Sequence, residues 1–288
     1  MIGNRRVLLT PLLAAVALFA GEGVFAQKPG AAPQSQPPQQ PSQNMQIPAT
    51  KDSGSNQTVQ QAPPSKQENK AIKAFRDTPD GDADKKIQLG EDFINTYPQS
   101  RYRPEVVNWL ARAYLVKGQV EKLQAEGDKE MALTPSNPVS LAVLGSNLSR
   151  AVTPSTPNME KYLDQAEAYC KKSLDVVATA KKPDDLSDSK FAEAKNQTSS
   201  VAYSGLGTVA FRRQKYTDAI SDLDQAVKLG GNTDPVNYYL LGKANEAATN
   251  YDQALAAYTK CAAIPGGMQS ACQSSISDVK AHGAVLPK

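Results

Sequence analysis

Residues 201–235 read VAYSGLGTVAFRRQKYTDAISDLDQAVKLGGNTDP, and residues 236–265 read VNYYLLGKANEAATNYDQALAAYTKCAAIP. Set 35 residues apart, the two lines match. Tyr203 falls on Tyr238, Leu206 on Leu241, Gly207 on Gly242 and Tyr216 on Tyr251. Further on, Ala219 falls on Ala254, Leu223 on Tyr258 and Ala226 on Cys261. Each line carries an apolar residue, a Leu-Gly step, a polar break, and then a second run that opens on an aromatic. That pattern predicts two short amphipathic helices per line.

Packing is the logic of such a unit. The first helix places Tyr203, Leu206 and Gly207 on one face, with Gly207 removing a side chain where the second helix must come close. The second helix answers with Ile220, Leu223, Ala226 and Val227 at helical spacing. One pair leaves an outer apolar face, so further pairs must stack on it. These residues resemble the tetratricopeptide repeat (TPR) family, in its exported bacterial type. The family pattern runs Trp-x2-Leu-Gly-x2-Tyr, then Ala, then an aromatic or Leu, then Pro. There are departures from it. The first-helix Tyr is Ala210 in one line and Asn245 in the other, and the Gly usual between the helices is Gln214 and Thr249.

Similar lines extend toward the N-terminus. Pro104–Pro135 carries Val107, Leu110, Ala111 and Tyr114, then Gly118, then Val120, Leu123 and Met131. The next line begins 34 residues later, with Pro138 on Pro104, Leu144 on Leu110 and Gly145 on Ala111. Its inter-helix turn is lengthened by Thr153-Pro154-Ser155-Thr156-Pro157 before Tyr162, Leu163, Ala166, Tyr169 and Cys170. The expected fold is all-α: a TPR-like α-solenoid of about four to five helix pairs with a C-terminal capping helix. Repeats are placed near 66–98, 104–137, 138–180, 200–234 and 235–265, and the cap helix at 268–282. Phe191 onward is expected to extend the first helix that leads into Tyr203.

Ahead of the repeats the composition changes twice. Residues 1–26 read as a secretory signal: Arg5 and Arg6, a short apolar run from Val7 to Ala20, and a small-residue exit that places cleavage after Ala26. The run is too short to span a bilayer comfortably. Residues 27–65 are rich in Gln, Pro, Ser and Ala, a composition that cannot bury enough apolar surface to offset its ordering entropy. They are expected to form a disordered linker. A periplasmic or secreted protein follows, without stable membrane insertion after the signal is removed.

The chain has 32 Lys and Arg against 29 Asp and Glu. Loss of Arg5, Arg6 and Glu22 with the leader leaves 30 against 28, too balanced to favour nucleic acid. The only histidine, His282, cannot by itself build a catalytic triad or a His-rich metal site. No catalytic residue, metal site or cofactor is expected. Gly205-Leu206-Gly207 looks like a nucleotide loop, but it lies within an amphipathic helix with no strand before it, so helix packing accounts for it. An enzyme on an α-solenoid would need acidic residues converging on one face, and the acidic stretch Pro183–Asp188 reads as a solvated helix start.

Three cysteines are present, and export would place them in an oxidising compartment. Cys261 lies on the inner face of the last repeat helix, and Cys272 lies near the start of the cap, across Pro265-Gly266-Gly267. That turn folds the cap back, so a Cys261–Cys272 disulfide is expected, while Cys170 occupies a core position.

The family resemblance implies that the first helices line a concave groove showing Asn108, Arg112, Ser146, Thr208, Tyr239 and Lys243. Donors there suit a peptide backbone or a C-terminal carboxylate. The implied function is an exported, non-enzymatic protein that binds a protein or peptide partner in the bacterial cell envelope. A scaffold for outer-membrane or cell-wall assembly is the alternative. Tyr97-Pro98-Gln99-Ser100 resembles a helix end in the TPR component of outer-membrane β-barrel assembly.

Overall fold

The computed structural model describes residues 63–184, 186–231 and 234–286. The expected leader, 1–26, and the linker through residue 62 lie outside the described residues. Eleven helices and no strand occur among the described residues. They are α1 (Lys66–Asp77), α2 (Ala83–Thr96), α3 (Arg103–Val116), α4 (Val120–Leu133), α5 (Pro138–Ala151), α6 (Met159–Thr179), α7 (Asp188–Arg212), α8 (Tyr216–Leu229), α9 (Pro235–Ala247), α10 (Tyr251–Ala263) and α11 (Gln269–Ala281). Each helix packs on the next, and α3 on α5, α5 on α7, α7 on α9 and α9 on α11 as well. The result is an α-solenoid of five helix pairs closed by a final helix.

Local chemistry sets the helix boundaries. Pro104, Pro138 and Pro235 stand in the first turn of α3, α5 and α9, where an amide hydrogen would have no partner in the helix. Asn137, Ser187 and Asp234 cap α5, α7 and α9 by accepting backbone N–H groups. The turn within a pair recurs: Gly118, Gln214 and Thr249 all have left-handed backbone, with φ of 63°, 60° and 62°. In each case the next amide reaches back five residues, Gln119 to Tyr114, Lys215 to Ala210 and Asn250 to Asn245. This Schellman closure favours glycine, which has no Cβ to clash. Gln214 and Thr249 thus hold a glycine conformation without being glycine. The α5–α6 turn is the exception: it is lengthened to residues 152–158, and its left-handed residue is Asn158 at φ 55°.

Glycines set how near neighbouring helices come. A Cβ on Gly207 would meet Leu223 Cγ at 2.6 Å, and one on Gly242 would collide with the Tyr258 ring. Cys170 Sγ is pinched from two sides, 2.5 Å from a Cβ on Gly145 and 2.5 Å from a Cβ on Gly205. The Gly205-Leu206-Gly207 segment is therefore a double contact, against the preceding pair and against its own partner helix. Tyr203 and Leu206, expected on the buried face, are only half-buried, while Ala202, Val209 and Ala210 take the inner positions.

The N-terminal pairs share one core that includes Phe75, Phe93, Leu110, Leu123, Leu144 and Leu163. A buried charge cluster ties their helices together. Arg103 at the start of α3 donates to Glu130 (Nε to Oε1, 2.6 Å), to Glu126 (Nη2 to Oε1, 2.5 Å) and to the Ile94 carbonyl (3.3 Å). Thr134 donates to the other Glu130 oxygen at 2.6 Å. Burial raises the Glu126 carboxyl above its ordinary value, an effect that Arg103 and Lys129 oppose.

Arg103→Met leaves two buried carboxylates without their cation and is expected to cost about 3–5 kcal/mol in chemical denaturation. Replacing Arg103, Glu126 and Glu130 together by Met, Leu and Leu is expected to recover most of that loss. Thr249→Gly relieves a β-branched residue held at positive φ and is expected to stabilise by about 1 kcal/mol, read as a higher melting midpoint.

Candidate functional site

The first helices of successive pairs, α3, α5, α7 and α9, carry the residues expected to face a partner. The structure distributes those six residues unequally. Arg112 is exposed and makes no hydrogen bond or ion pair among the described residues, although its charge helps hold Asp80 below the usual carboxylate range, where the Lys86 hydrogen bond is the main cause. Asn108 is half-buried, and its Oδ1 is sealed from solvent without a hydrogen-bond partner. Tyr239 is half-buried beside Tyr258, with ring centroids 5.9 Å apart. Lys243 lies over both rings, 5.9 Å and 5.7 Å from their centroids, and pairs with Glu246 at 3.0 Å. Glu246 also accepts the Tyr258 hydroxyl at 2.6 Å, and burial together with that bond pushes the phenol up. The Lys243 charge is therefore already engaged within its own pair.

Ser146 and Thr208 do not reach an open surface, being only 3% and 2% exposed. Thr208 donates to the Ser204 carbonyl at 2.7 Å, and the Ser146 carbonyl accepts from Ser149 at 2.8 Å. A Cβ on Gly205 would lie 3.0 Å from Ser146 Cα, so α7 approaches α5 closely enough to close this position. Neither side chain is available to line a groove.

A polar chain that sequence reading missed crosses three first helices. Arg150 of α5 donates to Ser204 of α7 at 2.8 Å, and Ser204 donates to Asn237 of α9 at 2.5 Å. Burial pushes the Arg150 guanidinium below its ordinary value, and the nearby Asp234 carboxylate partly offsets this. Arg212, at the end of α7, is likewise lowered by burial. The next residue, Arg213, points the other way and binds Glu160, Asp164 and Glu167 of α6. In sequence, Arg150 is four residues beyond Ser146, and that spacing was the available signal.

At the C-terminal end, a disulfide joins Cys261 of α10 to Cys272 of α11, with their Cα atoms 5.9 Å apart and a sequence separation of 11. Cys261 Sγ also lies 3.2 Å from the Pro235 carbonyl. Cys170 is a buried free thiol, and burial pushes it up to about 12. His282 stacks on Tyr251 with centroids 5.1 Å apart, and its Nδ1 is 2.9 Å from the Asp278 carbonyl. Among the described residues no group of three or more His, Cys, Asp or Glu is placed to hold a metal ion, and no helix is long and apolar enough to cross a membrane.

No protein-family model and no curated protein matches the chain. Among solved structures, the chain is similar to the crystal structure of a thermophilic TPR protein of Thermus thermophilus. The identity is 21%, over 74% of this chain and 96% of that one, with a TM-score of 0.45. The fold is TPR-like. Its own register carries that statement: prolines open α3, α5 and α9, a glycine stands at the close contact in Gly145, Gly207 and Gly242, with the buried Ala111 at the same register in α3, and a Schellman turn recurs at Gly118, Gln214 and Thr249. A TPR-like stack suits contact with other proteins, because side chains at the same register on successive helices line up on one face.

Reduction of the Cys261–Cys272 bridge is expected to destabilise the chain by roughly 2–3 kcal/mol, seen as a lower denaturation midpoint in dithiothreitol. Under native conditions Cys170 is expected to resist a thiol reagent at about pH 8 and to react fully in denaturant, since only the thiolate attacks.

Proposed function

We propose that this chain is an exported, non-enzymatic binding module that engages a protein partner in the bacterial cell envelope. The observation that carries the binding part is the stacking of α3, α5, α7 and α9, which places equivalent register positions of four helices side by side. Exposed Arg112 and half-buried Asn108 and Tyr239 lie on those helices. The leader-like residues 1–26 support export. A disulfide of the Cys261–Cys272 kind persists in an oxidising compartment, which agrees with that destination. Residues 27–65, poor in large apolar side chains, would act as a tether that leaves the helical region free to reach its partner.

Two measurements test this. Fractionation of cells expressing the full chain is expected to recover it outside the cytoplasm with Gln27 as its first residue. Recovery in the cytoplasm with Met1 retained would remove export from the proposal. In-cell crosslinking with the processed chain is expected to capture a partner that Arg112→Glu with Tyr239→Ala no longer captures. A chain beginning at Lys66 should retain that partner. Equal capture by the double variant would remove the first-helix face as the binding surface.

A further inference from the structure

The backbones of α2 and α4, the second helices of the first two pairs, make no close contact among the described residues, whereas those of α4 and α6 do. Sequence register gives a reason. Set 40 residues apart, Leu123 falls on Leu163, Lys122 on Tyr162 and Lys129 on Tyr169. In α6 the Tyr169 ring fills the space against Gly127, and its hydroxyl donates to the Gln124 carbonyl at 3.1 Å. In α4 a lysine stands at that register, and a cleft of about 200 Å³ lies between α2 and α4. Ile94, Tyr114 and Glu126 are its buried members, with Glu91, Lys122 and Lys129 around them. At ~30 Å³ for each water in the liquid, this is room for the four-carbon stem and ammonium of a lysine side chain.

The two carboxylates of this cleft differ in how they are paired. Glu91 accepts the Tyr114 hydroxyl at 2.8 Å and the Lys122 ammonium at 2.5 Å, and that ammonium lies 5.4 Å from the Tyr114 ring centroid. An alkyl ammonium is thus already accommodated here. Glu126, its side chain only 4% exposed, gives Oε1 to Arg103. Its other oxygen, Oε2, has Lys129 at 3.5 Å, longer than an ordinary hydrogen bond, and half of the Lys129 side chain is in water. Arg103 is shared with Glu130, and burial pushes the Glu126 carboxyl up. A buried carboxylate with so loose a cation is unfavourable, and a closer cation offsets that penalty.

We propose that the α2–α4 cleft binds a primary alkyl ammonium group, with Glu126 Oε2 accepting its N–H and Ile94 and Tyr114 packing on its stem. The ligand takes the place of Lys129, whose ammonium returns to water at little cost, because half-exposed ion pairs contribute little. One free carboxylate oxygen suits an ammonium, whereas a guanidinium fork uses two. Among the described residues no group of three or more His, Cys, Asp or Glu is placed to hold a metal ion, so the residues present suit an organic cation. The site lies between second helices and does not depend on the reading of the first-helix face as a partner surface.

The test titrates the isotope-labelled processed chain with n-butylammonium and follows backbone amide shifts by nuclear magnetic resonance. Saturable shifts are expected at Asn95, Ala125 and Glu126. None are expected with n-butanol, or with n-butyltrimethylammonium, which has the charge but no N–H. Glu126→Gln is expected to weaken binding about tenfold or more. Lys129→Ala, at a half-exposed position, removes the competing ammonium and is expected to tighten binding about two- to fivefold. Equal shifts with n-butyltrimethylammonium, shifts that never saturate, or unchanged or weaker binding by Lys129→Ala would overturn the proposal. Arg112→Glu with Tyr239→Ala is expected to leave this titration unchanged, so its outcome is separate from that of the first-helix face. Ac-Gly-Lys-Gly-amide and cadaverine then separate two sources of the ammonium. Tighter binding of the peptide assigns it to a lysine of a partner protein, tighter binding of cadaverine assigns it to a free diamine, and binding of neither overturns the site.

Discussion

Close helix contact at a handful of backbone positions is the constraint on which the rest of this molecule depends. Gly207 against Leu223 and Gly242 against Tyr258 fix the spacing within a pair, while Gly145 and Gly205 meet on either side of the Cys170 sulfur. None of those contacts leaves room for a methyl group. Interiors packed to this density transmit a shift rather than absorb it, so the angle between pairs, and hence the order of side chains along the stack, follows from them. The recurring left-handed turn supplies the second half of the geometry by reversing the chain with the same backbone conformation after α3, α7 and α9.

Charge is distributed unevenly across this scaffold. Arg103 and Arg213 sit between helices and are surrounded by carboxylates, where they act as ties. Desolvating Arg103, Glu126 and Glu130 carries a large penalty, so that buried tie adds little net stability although breaking it is costly. Arg150 follows neither pattern. It is joined to Ser204 and through it to Asn237, so one polar chain spans three pairs. That chain links the end of α5 to the start of α9 by hydrogen bonds alone.

Much of the fold was legible because its signals are local and repeat. Gly207 and Gly242 were marked as contact points by their place after Leu, and the stretched turn after α5 by its two prolines. The face was less legible. A register count gives the angle of a residue around its helix, but not the distance to the neighbouring helix. Ser146 and Thr208 share the angle of Arg112 and Lys243 yet are enclosed, and at Ser146 the close neighbour is Gly205 of α7. Lys243 could be placed but not its engagement with Glu246 and two tyrosine rings, which depends on rotamers. Gln214 and Thr249 stood out only as departures from a family pattern, and the backbone gives the departure its meaning.

The burial of Cys170 bears on how the chain acquires its crosslink. Three cysteines allow three different pairings, and two of them use Cys170. Once α5, α6 and α7 have docked, that sulfur lies between two glycines with its proton held tightly, and both wrong pairings are removed. What remains is the short loop from Cys261 to Cys272. The middle of the stack thus acts as an internal proofreader for oxidation at its end, provided that folding there outruns the oxidant.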